Sequence, residues 1–266
     1  MSPRTSSTAE YVEDLQQRGV YSFSADDALS ETSEPASRVH QALTRLAAKK
    51  RIARVRRDYF VIVPLEYLTA GAPPPSWYIH QLMAYLNCDY YVGLLSAASI
   101  HGASHQKPQE FQVIGAKQLP PRLVAGSRLR FFRKSAIKLD SVVPVKTETG
   151  FMNVSTAELT ALDLVHFRRA VGGINNVADI LAESWEKLDA GLLAAEAAKL
   201  SEKATAQRLG YLLDYLGAES RTSLLHEWVV SQDAPYAALE RTGSVKHKPR
   251  DDKWHLYLTI KVEVDR

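Results

Sequence analysis

The sequence predicts a mixed α+β fold in two parts. Three short helical periodicities are followed directly by two strand-like runs around a basic turn. A proline-rich stretch then ends near residue 75, and the longer remainder mixes strand-like and helical runs. At 266 residues the chain is also longer than one typical core requires. The expected division is a disordered start over 1–8, a small domain over 9–66, a linker over 67–76, and a larger domain over 77–266 with a small sheet and several C-terminal helices.

The elements follow in order. Over 9–18, Tyr11, Val12 and Leu15 share one helical face and Gly19 is a stop. Ser24 is placed to cap a second short helix, and Asp26 and Asp27 suit the positive end of its dipole. In Thr32-Ser33-Glu34-Pro35 a hydroxyl cap precedes a proline, which starts a third helix over about 35–50. Val39, Leu43 and Leu46 are spaced to face a core, while Arg38, Gln41, Arg45 and Lys49 face outward. Residues 52–63 read as two strands around Arg56-Arg57-Asp58. Three helices and a hairpin make the winged helix-turn-helix order. The stretch 69–75, with Pro73, Pro74 and Pro75, reads as a short stiff spacer. Beyond it, helices are expected at 76–87 and 94–100 and strands at 111–114, 128–133 and 142–146. Ser155-Thr156-Ala157-Glu158 is a capping box for a helix to about 170, broken by Gly172-Gly173. Helices over 175–188, 190–200, 203–216 and 220–230 follow, then a terminal strand over 254–264 that should return to the sheet.

Composition excludes some classes. Apolar residues make up 45% and charged residues 24%, an ordinary globular balance. Cys88 is the one cysteine, so a disulfide framework or cysteine-rich zinc site within the chain is excluded. No signal-peptide core or uninterrupted apolar run of membrane length is present, and a cytoplasmic protein that does not engage the membrane is expected. The net charge of +3 decides nothing, because the placement of charge governs polyanion binding.

That placement is uneven. Arg38, Arg45, Lys49, Lys50, Arg51, Arg54, Arg56 and Arg57 fall within twenty residues that contain no Asp or Glu. They lie on the exposed face of the third helix and on the hairpin, the two elements such a fold presents to a DNA groove and its flanking phosphates. Ser37, Arg38, His40 and Gln41, at the helix start, are candidates for base edges, since Arg and Gln make bidentate pairs with guanine and adenine. Arg45, Lys49, Lys50, Arg51, Arg54, Arg56 and Arg57 are candidates for phosphate. A second basic patch comprises Lys117, Arg122, Arg128, Arg130, Arg133, Lys134 and Lys138, without nearby acids in sequence. Alternation puts Arg128 and Arg130 on one strand face, either as a protected sheet edge or as an added polyanion surface.

Three blocks resemble the AbiEi family: Tyr91-Val92-Gly93-Leu94-Leu95-Ser96-Ala97-Ala98-Ser99-Ile100-His101-Gly102, Val154-Ser155-Thr156-Ala157-Glu158-Leu159-Thr160-Ala161-Leu162-Asp163-Leu164-Val165, and Ala206-Gln207-Arg208-Leu209-Gly210-Tyr211-Leu212-Leu213-Asp214. The resemblance implies an antitoxin and transcriptional repressor of a type IV toxin-antitoxin, or abortive-infection, system used in antiviral defence. It further implies negative autoregulation through inverted repeats in its own promoter. The implied functional partner is an AbiEii-like nucleotidyltransferase toxin, opposed without a requirement for a stable complex.

Other constellations are weaker. His101 and His105 have zinc-like spacing, but Gly102 lies between them and the glutamate of a metalloprotease helix is missing. Gly172-Gly173 is not followed by a phosphate-loop lysine, Asp163 sits among core leucines, and the 246–250 stretch is a basic loop. No catalytic residue, metal ligand or cofactor is expected, and the acids are too scattered for a nuclease. The competing function is a one-component transcription factor whose C-terminal domain binds a small-molecule effector.

Overall fold

A computed structural model describes residues 7–103, 108–135, 137–241 and 244–264. Its fold is mixed α+β, as predicted. The chain packs into two compact units that do not follow sequence order. One comprises Met1–Val92, Gln109–Ile137 and Pro144–Val154; the other comprises Gly93–Pro108, Lys138–Val143 and Ser155–Arg266. Of the expected disordered start, residues 1–6 lie outside the described residues, while Ser7 and Thr8 are the cap and first residue of a helix.

The first unit opens with α1 (Thr8–Gln17), where Ser7 and Glu10 form a reciprocal capping box. Next come β1 (Ser22–Ser24) and α2 (Ala25–Glu31), the latter capped by Ser24 with Asp27 reaching back to the Ser24 amide. Then follow α3 (Ala36–Ala48), β2 (Ile52–Arg56) and β3 (Tyr59–Ile62). These strands form a sheet of order β1-β3-β2. The three-residue β1 is too short to register as a sequence run, and it exists because Ser22–Ser24 pair with Tyr59–Val61. The start of α3 also differs from expectation. Pro35 is its cap and makes no side-chain capping bond, whereas the Thr32 hydroxyl turns back to the Ala28 carbonyl at 2.7 Å. Glu34 instead accepts from the Thr8 amide at 2.8 Å and the Thr8 hydroxyl at 2.6 Å, which ties the approach to α3 to the start of α1. Tyr11, Leu15, Phe23, Val39, Leu43, Ile52, Phe60 and Ile62 close one apolar core beneath these elements.

The expected spacer does not stand free. Ala72, Pro73 and Pro75 are buried, and Trp77 packs edge-on against Tyr21 and Tyr67. The helix expected over 76–87 is shortened to α4 (Ile79–Tyr85) after a single tight turn at Pro75–Trp77. The sheet strands follow around α5 (Leu94–Ile100) of the second unit: β4 (Tyr90–Val92), β5 (Glu110–Gly115), β6 (Arg122–Val124), β7 (Ser127–Arg133), β8 (Val142–Thr147) and β9 (Gly150–Ser155). They form one six-stranded sheet of order β6-β7-β5-β4-β9-β8. It is mixed, with β5 parallel to β7 and β4 parallel to β9, while β4–β5 and β6–β7 are antiparallel.

In the second unit α5 packs on α6 (Ala157–His166). Thr156, not Ser155, caps α6 and accepts from the Leu159 amide, so the expected box with Glu158 does not form; Glu158 is buried and accepts from the Asp189 amide at 3.0 Å. Gly172 and Gly173 both take positive φ and break the chain before α7 (Ile174–Ser184). Helices α8 (Ala190–Leu200), α9 (Lys203–Tyr215) and α10 (Ser223–Ser231) complete the helical layer. The expected terminal strand is reduced to two residues. The pairs β10 (Ala237–Ala238), β11 (Arg250–Asp251) and β12 (Leu256–Tyr257) form a separate small sheet of order β10-β12-β11 rather than joining the large one. The reason lies on α9. Gln207 donates to the Pro235 and His255 carbonyls, Arg208 to the Ala238 carbonyl, and Asp214 accepts from the Trp254 indole at 2.7 Å, so α9 itself holds the returning segment.

Candidate nucleic-acid interface

The first basic group surrounds α3 and the β2–β3 hairpin. Val39 and Leu43 bury one side of α3, so geometry places Ser37, Arg38, His40, Gln41, Thr44 and Arg45 on the exposed side. His40, Gln41, Thr44 and Arg45 line a shallow depression there, in which Thr44 was not anticipated from sequence. Ser37, Arg38 and Gln41 have no side-chain hydrogen-bond partner among the described residues. His40 and Arg45 fold back on their own helix: His40 Nδ1 lies 2.7 Å from the Ala36 carbonyl oxygen, and Arg45 Nε donates weakly to the Gln41 carbonyl at 3.4 Å. The helix ends at Lys49 and the chain turns through Lys50, whose φ of 55° is left-handed, before entering β2. Both lysines are exposed.

The remaining phosphate candidates differ in their freedom. Arg57, at the hairpin tip, is almost fully exposed and lies 4.0 Å from its neighbour Asp58, too far for a strong pair. Arg51 lies 3.9 Å from Glu13 on α1. Arg54 is exposed, with its guanidinium 5.4 Å from the centroid of the Phe60 ring. Arg56 is different. It is half-buried, sits 5.4 Å over the Phe131 ring of β7, and donates to the Pro120 carbonyl at 3.5 Å. Burial, and then the nearby Arg122 guanidinium, lower its pKa. No spacing rule could reveal this contact, because Phe131 is distant in the chain.

The second basic patch is split by the structure. Glu110 on β5 faces Arg128 and Arg130 on β7, with contacts of 3.4 Å and 3.2 Å. The acid that seemed missing in sequence comes from a parallel neighbouring strand. Lys117 donates to the Leu86 carbonyl at 2.9 Å, Lys134 is buried, and Lys138, in the second unit, donates to the Lys199 carbonyl at 3.0 Å. Arg122 and Arg133 remain exposed. The patch is therefore not one surface.

The other constellations take structural places. His101 Nε2 lies 2.7 Å from the Ser155 carbonyl oxygen, and His105 lies outside the described residues. Asp163 is fully buried, and Arg250 lies over the rings of Tyr236 and Tyr257. Among the described residues no group of three or more His, Cys, Asp or Glu side chains is gathered for a metal ion. No described helix is long and apolar enough to cross a membrane.

The 206–214 block on α9 acquires a physical reading. Gly210 faces the buried Trp254 ring, Asp214 receives the Trp254, Thr222 and Lys253 donors, and Arg208 is pushed down to about 10 by burial and by Arg168.

The fold resembles the crystal structure of the RV2827C protein from Mycobacterium tuberculosis, with a TM-score of 0.67 at 14% sequence identity over 95% of this chain and 92% of that one. No curated protein matches the sequence. The description AbiEi antitoxin C-terminal domain matches residues 91–215, which contain all three sequence blocks. That match supports AbiEi family membership.

Proposed function

We propose that the protein is an antitoxin that also represses its own promoter, with α1–β3 acting as a winged helix-turn-helix on double-stranded DNA. The antitoxin role rests on the family of residues 91–215. The DNA reading rests on one observation: Arg38 and Gln41 are exposed on α3 without side-chain hydrogen-bond partners among the described residues, beside a hairpin whose tip carries the exposed Arg57. A recognition helix offers such side chains to base edges, and the hairpin meets the backbone. Inverted repeats in the promoter are the proposed target, and the proposed functional partner is a nucleotidyltransferase-like toxin. The protein works by binding, not by catalysis, in the cytoplasm.

Gel-shift titrations on the protein's own promoter and on a scrambled duplex test the division of roles. Gln41→Ala should weaken promoter binding by about 1 to 3 kcal/mol with little effect on the scrambled duplex. Arg57→Ala should weaken both alike and flatten the salt dependence. Equal losses for both variants on both duplexes would refute the assignment, and no promoter binding by the parent protein would refute DNA binding itself.

A further inference from the structure

Side-chain alternation sorts the arginines of the six-stranded sheet onto opposite faces. Arg128, Arg130 and Phe132 share one face of β7, where Glu110 partners both guanidiniums and Arg130 lies over Phe132. Leu129, Phe131 and Arg133 share the other face. Arg122 of β6 pairs directly with Leu129 and therefore stands on that second face. Arg56 reaches the same face from the hairpin, over Phe131. Hairpin and sheet edge thus bring guanidiniums together on the side that Glu110 does not serve.

Arg56 is incompletely satisfied there. Its Nε is buried and has no hydrogen-bond partner, while its contact to the Pro120 carbonyl is long at 3.5 Å. Arg122 is exposed and takes no carboxylate among the described residues. Neighbouring cations without an acid favour an anion between them, and the planar guanidinium fork matches phosphate oxygens.

We propose that Arg56 and Arg122 together seat one backbone phosphate of double-stranded DNA, carrying the contact of the β2–β3 hairpin onto the β6–β7 edge. The proposal rests on the DNA-binding reading above and deepens it. Arg128 and Arg130, held by Glu110 on the opposite face, take no part. The second basic patch contributes through Arg122 rather than as a whole.

The test uses the full-length protein with its own promoter duplex and a scrambled duplex of equal length, titrated over a salt series. Arg122→Ala and Arg122→Gln should each lower affinity about tenfold on both duplexes, and should reduce the log–log salt slope by about 1. Arg128→Ala should stay within about twofold of the parent protein, since its guanidinium is on the other face. Arg122 is exposed, so melting temperatures should be unchanged in both Arg122 variants. Parent-like binding by the Arg122 variants, with Arg57→Ala still weakened, would overturn the phosphate seat and leave DNA binding intact. A loss confined to the promoter duplex would also overturn it, because a phosphate contact carries no sequence information. Failure of the parent protein to bind either duplex at low salt would remove the DNA reading together with the seat.

Discussion

Gly210→Ala should destabilise the protein, although alanine is the better helix former. In an unconstrained helix the change would favour folding by about 1 kcal/mol. Here a methyl group at Gly210 would lie 2.5 Å from Trp254 Cζ2 and closer still to Cη2 and Cζ3. Ordinary carbon contact begins near about 3.5 Å, so the indole must retreat by about 1 Å or more. Trp254 cannot retreat freely: it is 1% exposed, and its Nε1 donates to Asp214 at 2.7 Å. Overpacking costs about 1 to 3 kcal/mol, and loss of the charge-assisted indole bond adds about 1.5 to 3 kcal/mol. The expected net loss is about 1.5 to 5 kcal/mol after the helical gain is subtracted. Urea unfolding followed by tryptophan fluorescence measures it. Relief by Trp254→Leu in a double-mutant cycle should recover part of the Gly210→Ala loss, since the clash then disappears. An unchanged or raised midpoint for Gly210→Ala alone would refute the close approach.

Two further outcomes follow from the charged contacts. Burial raises the Asp214 pKa, but bonds from Lys253, Thr222 and Trp254 outweigh it and leave the group depressed, so its stabilising contribution is present above the unfolded carboxylate value and is lost as pH falls through the folded value. The stability gap between the parent protein and Asp214→Asn should therefore narrow on acidification, and a gap independent of pH in urea titrations would contradict the charged role. Glu110→Gln should cost about 1 kcal/mol or less, because Arg128 is exposed and Arg130 partly exposed, so that solvent screens their attraction. A larger loss on thermal melting would mean that Glu110 bears structural load beyond those pairs.

Helices whose signals lie within a few residues were legible in the sequence. Ser24 and Asp27 mark the start of α2 because a cap and its reciprocal bond need only a three-residue spacing. The small-residue run 94–100 and the glycine pair at 172–173 likewise carry their own instructions. Features made by distant partners were not legible. β1 is a strand only because β3 lies beside it, and Glu158 does not close a capping box because Thr156 rather than Ser155 caps α6 and the Glu158 carboxylate accepts from the distant Asp189 amide. The basic residues show the same limit most clearly. Sequence counts Arg56, Arg122, Arg128 and Arg130 as equivalent positive charges, but strand pairing gives Arg128 and Arg130 an acid and sets Arg122 on the opposite face, which Arg56 reaches from the hairpin.

The proline-rich stretch shows why composition alone marks a spacer where the chain is packed. Three consecutive prolines hold an isolated chain extended, and that stiffness also lowers the entropy lost when the chain is packed. Ala72, Pro73 and Pro75 are buried, and the next residues lead straight into Trp77 against Tyr21 and into the buried Tyr78. Tyr85 of α4 then meets Tyr59 of β3 with ring centroids 4.9 Å apart. Aromatic surface on both sides of residues 69–76 is thus covered within one compact unit, which also contains most of the six-stranded sheet. The aromatic packing around Tyr21 and Tyr59 of the small domain therefore continues through the stretch that sequence alone marks as a spacer.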